Sequence, residues 1–178
     1  MKLLRCRICG ETYLGTEAPS RCPFCGASAE YFIPTEEYPA DVNDVDLTDV
    51  ERADLDTAIG LERSNARFYA GLGQQSGNAD LASAYKRLSA IEAEHCSVFC
   101  KLAGVAKPDD LRQPAATADS WCDDIADSLA RERKAAAFYA EAAARATSER
   151  VAEVLAAVSA VERDHIEIDG LASHMAGC

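Results

Sequence analysis

Ser89-Ala90-Ile91-Glu92-Ala93-Glu94-His95 returns 70 residues later as Ser159-Ala160-Val161-Glu162-Arg163-Asp164-His165. Upstream of each copy a second segment repeats at the same shift: Glu62-Arg63, Ala66 and Phe68-Tyr69-Ala70 recur as Glu132-Arg133, Ala136 and Phe138-Tyr139-Ala140. A repeat built from two segments that each carry helical periodicity is a helical hairpin, and two copies make four helices.

The periodicity places the inward faces. Leu55, Ile59, Glu62, Ala66 and Tyr69 fall on one stripe at steps of three and four, as do Ile125, Leu129, Glu132, Ala136 and Tyr139. The second helix of each hairpin lines up Leu81, Tyr85, Leu88, Glu92, His95, Phe99 and Leu102, then Val151, Leu155, Val158, Glu162, His165, Asp169 and Ala172. Each apolar seam is thus interrupted by ionisable groups at mid-length. Helices of roughly 25 residues, near 40 Å long, fit between candidate N-caps at Thr48, Asn78, Thr117 and Ser148. Short turns near Gly73 to Asn78 and near Ala146 to Ser148 close the hairpins, and a longer run from Gly104 to Ala116, with Pro108 and Pro114, joins them. Two short turns and one crossover give ferritin-like connectivity, so the expected fold is mainly α: a four-helix bundle with a small N-terminal module.

The interruptions have a chemical reading. Glu92 and His95 are three apart, as are Glu162 and His165, so each pair shares a helix face and can reach one metal ion. Glu62 and Glu132 add a carboxylate from each remaining helix. Four glutamates and two histidines are the ligand set of ferritin-like di-iron carboxylate proteins. Their four negative charges tolerate burial only with metal or with protons, and mixed oxygen and imidazole donors suit iron or manganese. Tyr69 and Tyr139 lie seven residues beyond Glu62 and Glu132 on the same face, where a phenol can hydrogen-bond a ligand carboxylate or relay an electron; amphipathic packing explains them equally.

A second metal motif opens the chain. Cys6-x-x-Cys9-Gly10 and Cys22-Pro23-Phe24-Cys25-Gly26 are two knuckles separated by twelve residues, the spacing of a tetrahedral tetrathiolate site for iron or zinc. Glycine after each second cysteine permits positive φ. Composition changes beyond this module, from Cys, Pro and Gly to Ala, Leu, Glu and Arg, which gives residues 1–38 as the metal module, 39–46 as an acidic linker containing Pro39, and 47–178 as the bundle.

Composition excludes some classes. With 178 residues and a net charge of −12, the chain repels a nucleic-acid backbone or an anionic membrane at long range. No apolar stretch is long enough for a signal peptide or a membrane span, and the expected location is cytoplasmic. In that setting the eight cysteines read as metal ligands or buried thiols rather than disulfides. Cys96 and Cys100 read as small buried packing residues, and Cys178 as an exposed passenger.

The segments Arg5-Cys6-Arg7-Ile8-Cys9-Gly10, Gly15-Thr16-Glu17-Ala18-Pro19 and Cys22-Pro23-Phe24-Cys25 resemble the rubredoxin module of rubrerythrins, and the bundle resembles their ferritin-like half, in reversed domain order. The resemblance implies reduction of hydrogen peroxide to water at a di-iron site, with electrons from an external reductase, rubredoxin or ferredoxin entering through the rubredoxin iron. It implies Glu92 and Glu162 as bridging ligands, Glu62 and His95 as terminal ligands of one iron, and Glu132 and His165 of the other. It also implies a head-to-tail homodimer. The family's additional glutamate, three residues after the third-helix ligand, is Ala135 here, and its counterpart is Asn65. That departure keeps dioxygen as an alternative oxidant, with a ferroxidase or oxidase activity. A non-catalytic protein with zinc in the knuckles is the third reading.

Overall fold

The computed structural model describes residues 1–178. Three short strands, β1 (Lys2–Cys6), β2 (Thr12–Gly15) and β3 (Phe32–Pro34), form an antiparallel sheet in the order β2-β1-β3. Four helices follow: α1 (Asp49–Leu72), α2 (Ala79–Ala103), α3 (Trp121–Arg145) and α4 (Glu149–Ala176). The expected class holds: a mainly helical chain with a small strand-and-knuckle region at its N-terminus. Helix α1 pairs along its length with α2, and α3 with α4, as the repeat requires.

Side chains close the helix starts. Thr48 Oγ1 accepts from the Glu51 backbone N–H while Glu51 Oε2 accepts from that of Thr48, a reciprocal capping box. The other oxygen of Glu51 accepts the backbone N–H groups of Thr147 and Ser148, at 2.9 and 2.7 Å, and so ties the start of α1 to the α3–α4 turn. These donors, Ser148 foremost, hold the Glu51 carboxyl down at about 2. Asn78 and Ser148 cap α2 and α4. The cap of α3 is Ser120 rather than Thr117: Asp119 takes φ +59°, and Asp124 gathers the backbone N–H groups of Ala118 and Ser120, which delays the first helical turn.

One apolar core runs from the knuckles into the bundle. Cys6, Ile8, Cys9, Cys22 and Cys25 are buried together with Val98, Phe99, Leu102, Val154, Leu155 and Val158. Gly26 sits at φ +75°, and a Cβ there would lie 2.6 Å from Val161 Cγ1, so glycine serves both the knuckle turn and its close approach to α4. Polar contacts rim the same seam. Arg21 pairs with Asp164 at 2.7 Å, Lys101 Nζ donates to the Cys9 carbonyl at 3.1 Å, and Arg150 Nη2 donates to the Arg7 carbonyl at 2.7 Å. Asn43, in the connecting segment, accepts from Arg150 and joins that segment to α4.

The expectation of reduced thiols throughout fails at one pair. Cys122 and Cys178 form a disulfide, because the end of α4 folds back beside the first turn of α3. Cys178 is therefore a covalent tie and not a passenger. Cys96 and Cys100 stay buried and reduced beside Ala66 and Leu111, and burial pushes the Cys96 thiol up to about 12.

Candidate metal centres

The four knuckle sulfurs converge. Cys6 Sγ lies 3.8 Å from Cys25 Sγ, and Cys9 Sγ 3.9 Å from Cys22 Sγ. A tetrahedron with metal–sulfur bonds of about 2.3 Å has edges of about 3.8 Å, so the cage has the size of one tetrahedral ion. Gly10 and Gly26 both adopt positive φ, and the Glu11 backbone N–H reaches toward Cys9 Sγ at 3.5 Å. Hydrogen bonding among the sulfurs drives Cys9 and Cys25 upward and Cys6 and Cys22 downward.

At mid-bundle the six repeated side chains meet. Glu62, Glu92, Glu132, Glu162, His95 and His165 are each at most 2% exposed. Their donor atoms fall into two overlapping groups, Glu62, Glu92, His95 and Glu162 in one, and Glu92, Glu132, Glu162 and His165 in the other, with atoms within 4.8 Å of one another in each. Glu92 and Glu162 belong to both. Glu92 presents one oxygen to His95 Nδ1 at 3.2 Å and the other to His165 Nδ1 at 3.0 Å; Glu162 does the same at 3.2 and 3.0 Å. Glu62 and Glu132 sit farther out, 3.8 Å from His95 and 3.6 Å from His165.

Burial of four carboxylates governs their protonation. Burial, followed by the charges of Glu92 and Glu162, pushes Glu62 well up, and burial with Glu162 and Glu92 does the same to Glu132. Burial also opposes ionisation of Glu92 and Glu162, but the two histidines outweigh it and hold both carboxyls low. Burial pulls the His95 imidazole down, yet hydrogen bonds to Glu162 and Glu92 carry it up to about 10. One buried oxygen on each glutamate, Glu62 Oε2, Glu92 Oε1, Glu132 Oε2 and Glu162 Oε1, lacks a well-aligned hydrogen bond; Glu92 Oε1 and Glu162 Oε1 meet only an imidazole nitrogen, at 3.0 and 3.2 Å. Four such acceptors facing two imidazoles are what two divalent cations satisfy. The donor set fits a di-iron centre.

Around this cluster the two hairpins exchange partners. Tyr69 of α1 donates to Glu132 of α3, and Tyr139 of α3 donates to Glu62 of α1 at 2.5 Å. Periodicity had put each tyrosine on the face of its own helix's glutamate; the hydrogen bond crosses the bundle instead. Asp169, which the repeat leaves unexplained, accepts from Tyr85 at 2.8 Å and from Ser128 at 2.8 and 2.9 Å. Burial pushes Asp169 up to about 6. Glu94 and Asp164, each one residue before a cluster histidine, pair away from the cluster with Lys101 and Arg21. Ala135 is fully buried and brings no carboxylate, and Asn65 is buried with its amide nitrogen unpartnered.

One contact joins the two centres. His95 Nε2 lies 2.8 Å from the carbonyl oxygen of Cys25, so the ring with Nδ1 among the carboxylates carries its other nitrogen to a knuckle residue. Sequence patterns signal both partners but not their meeting.

The family model for the rubrerythrin rubredoxin-like domain matches residues 5–33. Over 114 residues the chain is 32% identical to reverse rubrerythrin-1 of Clostridium acetobutylicum, a similarity covering 58% of this chain and 63% of that protein. No solved structure matches the chain. No helix is long and apolar enough to cross a membrane. The N-terminal rubredoxin-like domain, the buried carboxylate and histidine cluster behind it and the 32% identity make this chain similar to a rubrerythrin of reversed domain order, of whose length it spans 63%.

Proposed function

We propose that the protein reduces hydrogen peroxide to water, with electrons from an external donor passing through the Cys6, Cys9, Cys22 and Cys25 centre. The observation that carries this reading is the 2.8 Å contact between His95 Nε2 and the Cys25 carbonyl, which leaves one imidazole between the two metal sites. When bound among the glutamates, two irons would supply the two electrons that convert one peroxide and two protons into two waters. Glu92 and Glu162, which belong to both donor groups, would hold both irons, with Glu62 and His95 completing one set and Glu132 and His165 the other. His95 donates its Nε2–H to Cys25, which fixes the tautomer and aims Nδ1 at the metal. Tyr139 and Tyr69 keep phenolic protons on the two outer carboxylates, close to where oxygen must be protonated. The bundle's buried walls keep bulk water from the carboxylates.

Dioxygen is the second reading, favoured by Ala135, since no additional carboxylate stands beside the third-helix ligand. The reductase, rubredoxin or ferredoxin that feeds the knuckles meets a chain of net charge −12, so a cationic face on that donor speeds the encounter. A homodimer is part of the same proposal.

Replacing one knuckle ligand tests the electron route. Cys9→Ala is expected to abolish steady-state peroxide reduction driven by an external reductase while sparing single-turnover oxidation of pre-reduced iron in the bundle. Undiminished steady-state turnover would remove the rubredoxin centre from the reaction.

A further inference from the structure

Three aromatic rings lead from the glutamate cluster to the surface at the end of the bundle away from the knuckles. Tyr69, whose hydroxyl bonds Glu132, stacks on Tyr85 with centroids 5.7 Å apart and planes 28° apart. Tyr85 stacks on Trp121 at 6.0 Å and 26°. Trp121 is half-buried and its Nε1–H donates to the Ser76 carbonyl at 3.0 Å, within reach of solvent.

Packing alone does not explain this line, because the other hairpin lacks it. At the 70-residue shift Tyr85 corresponds to Leu155 and Trp121 to Glu51. Tyr139 is instead flanked by Phe99 and Phe138, at 5.4 and 5.6 Å, whose rings have no ionisable proton and resist one-electron oxidation. Both phenols of the line also have a carboxylate as proton acceptor. A phenol loses an electron readily only when its proton has somewhere to go, and Tyr85 donates to the Asp169 carboxylate at 2.8 Å, itself held by Ser128. Ser128 also lies 3.0 Å from the Tyr69 hydroxyl, so one polar group serves both phenols.

We propose that Tyr69, Tyr85 and Trp121 form a second one-electron relay, separate from the rubredoxin route, that carries an electron from the protein surface to the di-iron site when dioxygen is the oxidant. The proposal rests on the di-iron reading above. Its electron count is specific. Peroxide takes two electrons, which three ferrous irons supply with one to spare. Dioxygen takes four electrons and four protons to become two waters, and three irons leave a deficit of one. That electron comes from Tyr69, is replaced from Tyr85 and finally from Trp121. The Tyr69 proton passes to Glu132 and the Tyr85 proton to Asp169, each returning when its ring is refilled, and the Trp121 Nε1 proton leaves to water. The neutral indole radical is then reduced by a soluble one-electron donor such as ascorbate.

Trp121 is the chain's single tryptophan, so it can be oxidised selectively. Pulse radiolysis of the full-length iron-loaded protein with azide radical is the test, performed on wild type, Tyr85→Phe and Tyr69→Phe, with iron content measured on the same samples. Expected are decay of the indolyl absorption with matching growth of a phenoxyl absorption in wild type, and loss of that transfer in Tyr85→Phe. An indolyl radical that decays without forming phenoxyl, or transfer that persists in Tyr85→Phe, would overturn the relay. Neither result depends on what the bundle binds, whereas a sample lacking iron in the bundle refutes the di-iron reading alone. In a second arm, reduced protein is mixed with one equivalent of dioxygen or of peroxide. A Trp121 or tyrosyl radical seen by electron paramagnetic resonance after dioxygen only is expected. Equal radical yield with both oxidants, or none with dioxygen, would overturn the role assigned to the relay.

Discussion

His95 Nε2 and the Cys25 carbonyl oxygen are 2.8 Å apart within one chain. The head-to-tail homodimer that the resemblance to rubrerythrins implies is a separate question from the contacts inside one chain. Here the module lies on its own bundle, sealed by Gly26 against Val161 and by a shared apolar core. Under the proposed function, this contact makes transfer within one chain the expected electron route. A co-expressed mixture of Cys9→Ala chains, lacking the donor centre, and Glu162→Ala chains, lacking the acceptor, is expected to show no peroxide reduction above either variant alone. Recovery of activity in the mixture would show that electrons cross between subunits.

Glu92 and Glu162 each face both histidines, whereas Glu62 and Glu132 each face one. Truncating a shared carboxylate therefore removes a ligand from both positions at once. Glu92→Ala and Glu162→Ala are each expected to lose both bundle irons while keeping the visible absorption of the ferric tetrathiolate. Metal analysis that finds two irons still in the bundle would refute the bridging assignment.

Metal removal should expose a pH dependence of opposite sense on the two sides of neutrality. In the metal-free protein, Glu62, Glu132, His95 and His165 all have raised folded-state values, so the folded chain holds protons that the unfolded chain has released. Their contribution is fully present below the unfolded values, and stability falls as pH rises, for His95 between about 6.5 and about 10. Glu92 and Glu162 are held low, and their contribution is lost on acidification below about 4.5. Calorimetry of the metal-free protein should show the melting temperature falling from pH 6.5 toward pH 10, with the slope flattened by reloading divalent iron. A flat alkaline limb without metal would contradict the buried ionisation pattern.

How much of this was legible in the chain depends on what each signal reports. A helical period states which side chains share a face, so Glu62, Glu92, His95, Glu132, Glu162 and His165 stood out as one inward set once the 70-residue shift was seen. The knuckle spacing likewise marked Cys6, Cys9, Cys22 and Cys25. Neither signal reports what lies across a bundle. The exchange of Tyr69 and Tyr139 between hairpins, the pairing of Asp169 with Tyr85, and the Cys25–His95 contact all depend on inter-element geometry that no local pattern encodes. The Cys122–Cys178 disulfide escapes the sequence for a related reason: its pairing is decided by where α4 ends beside the start of α3, which neither cysteine spacing nor compartment encodes. Ser120 replaced Thr117 as a cap because Asp119 and Asp124 shape the loop before α3, a detail finer than a polar residue ahead of a periodic stretch.

The most direct measurement is anaerobic stopped flow of fully reduced protein against hydrogen peroxide and, separately, dioxygen, following the visible absorption of the ferric tetrathiolate. Fast return of that colour with peroxide, slower return with dioxygen, and a rate unchanged on dilution of the protein are the results the proposed function predicts, because His95 lies 2.8 Å from the Cys25 carbonyl in the same chain. Colour that fails to return with peroxide, or returns faster with dioxygen, would contradict peroxide reduction as the reaction of this protein.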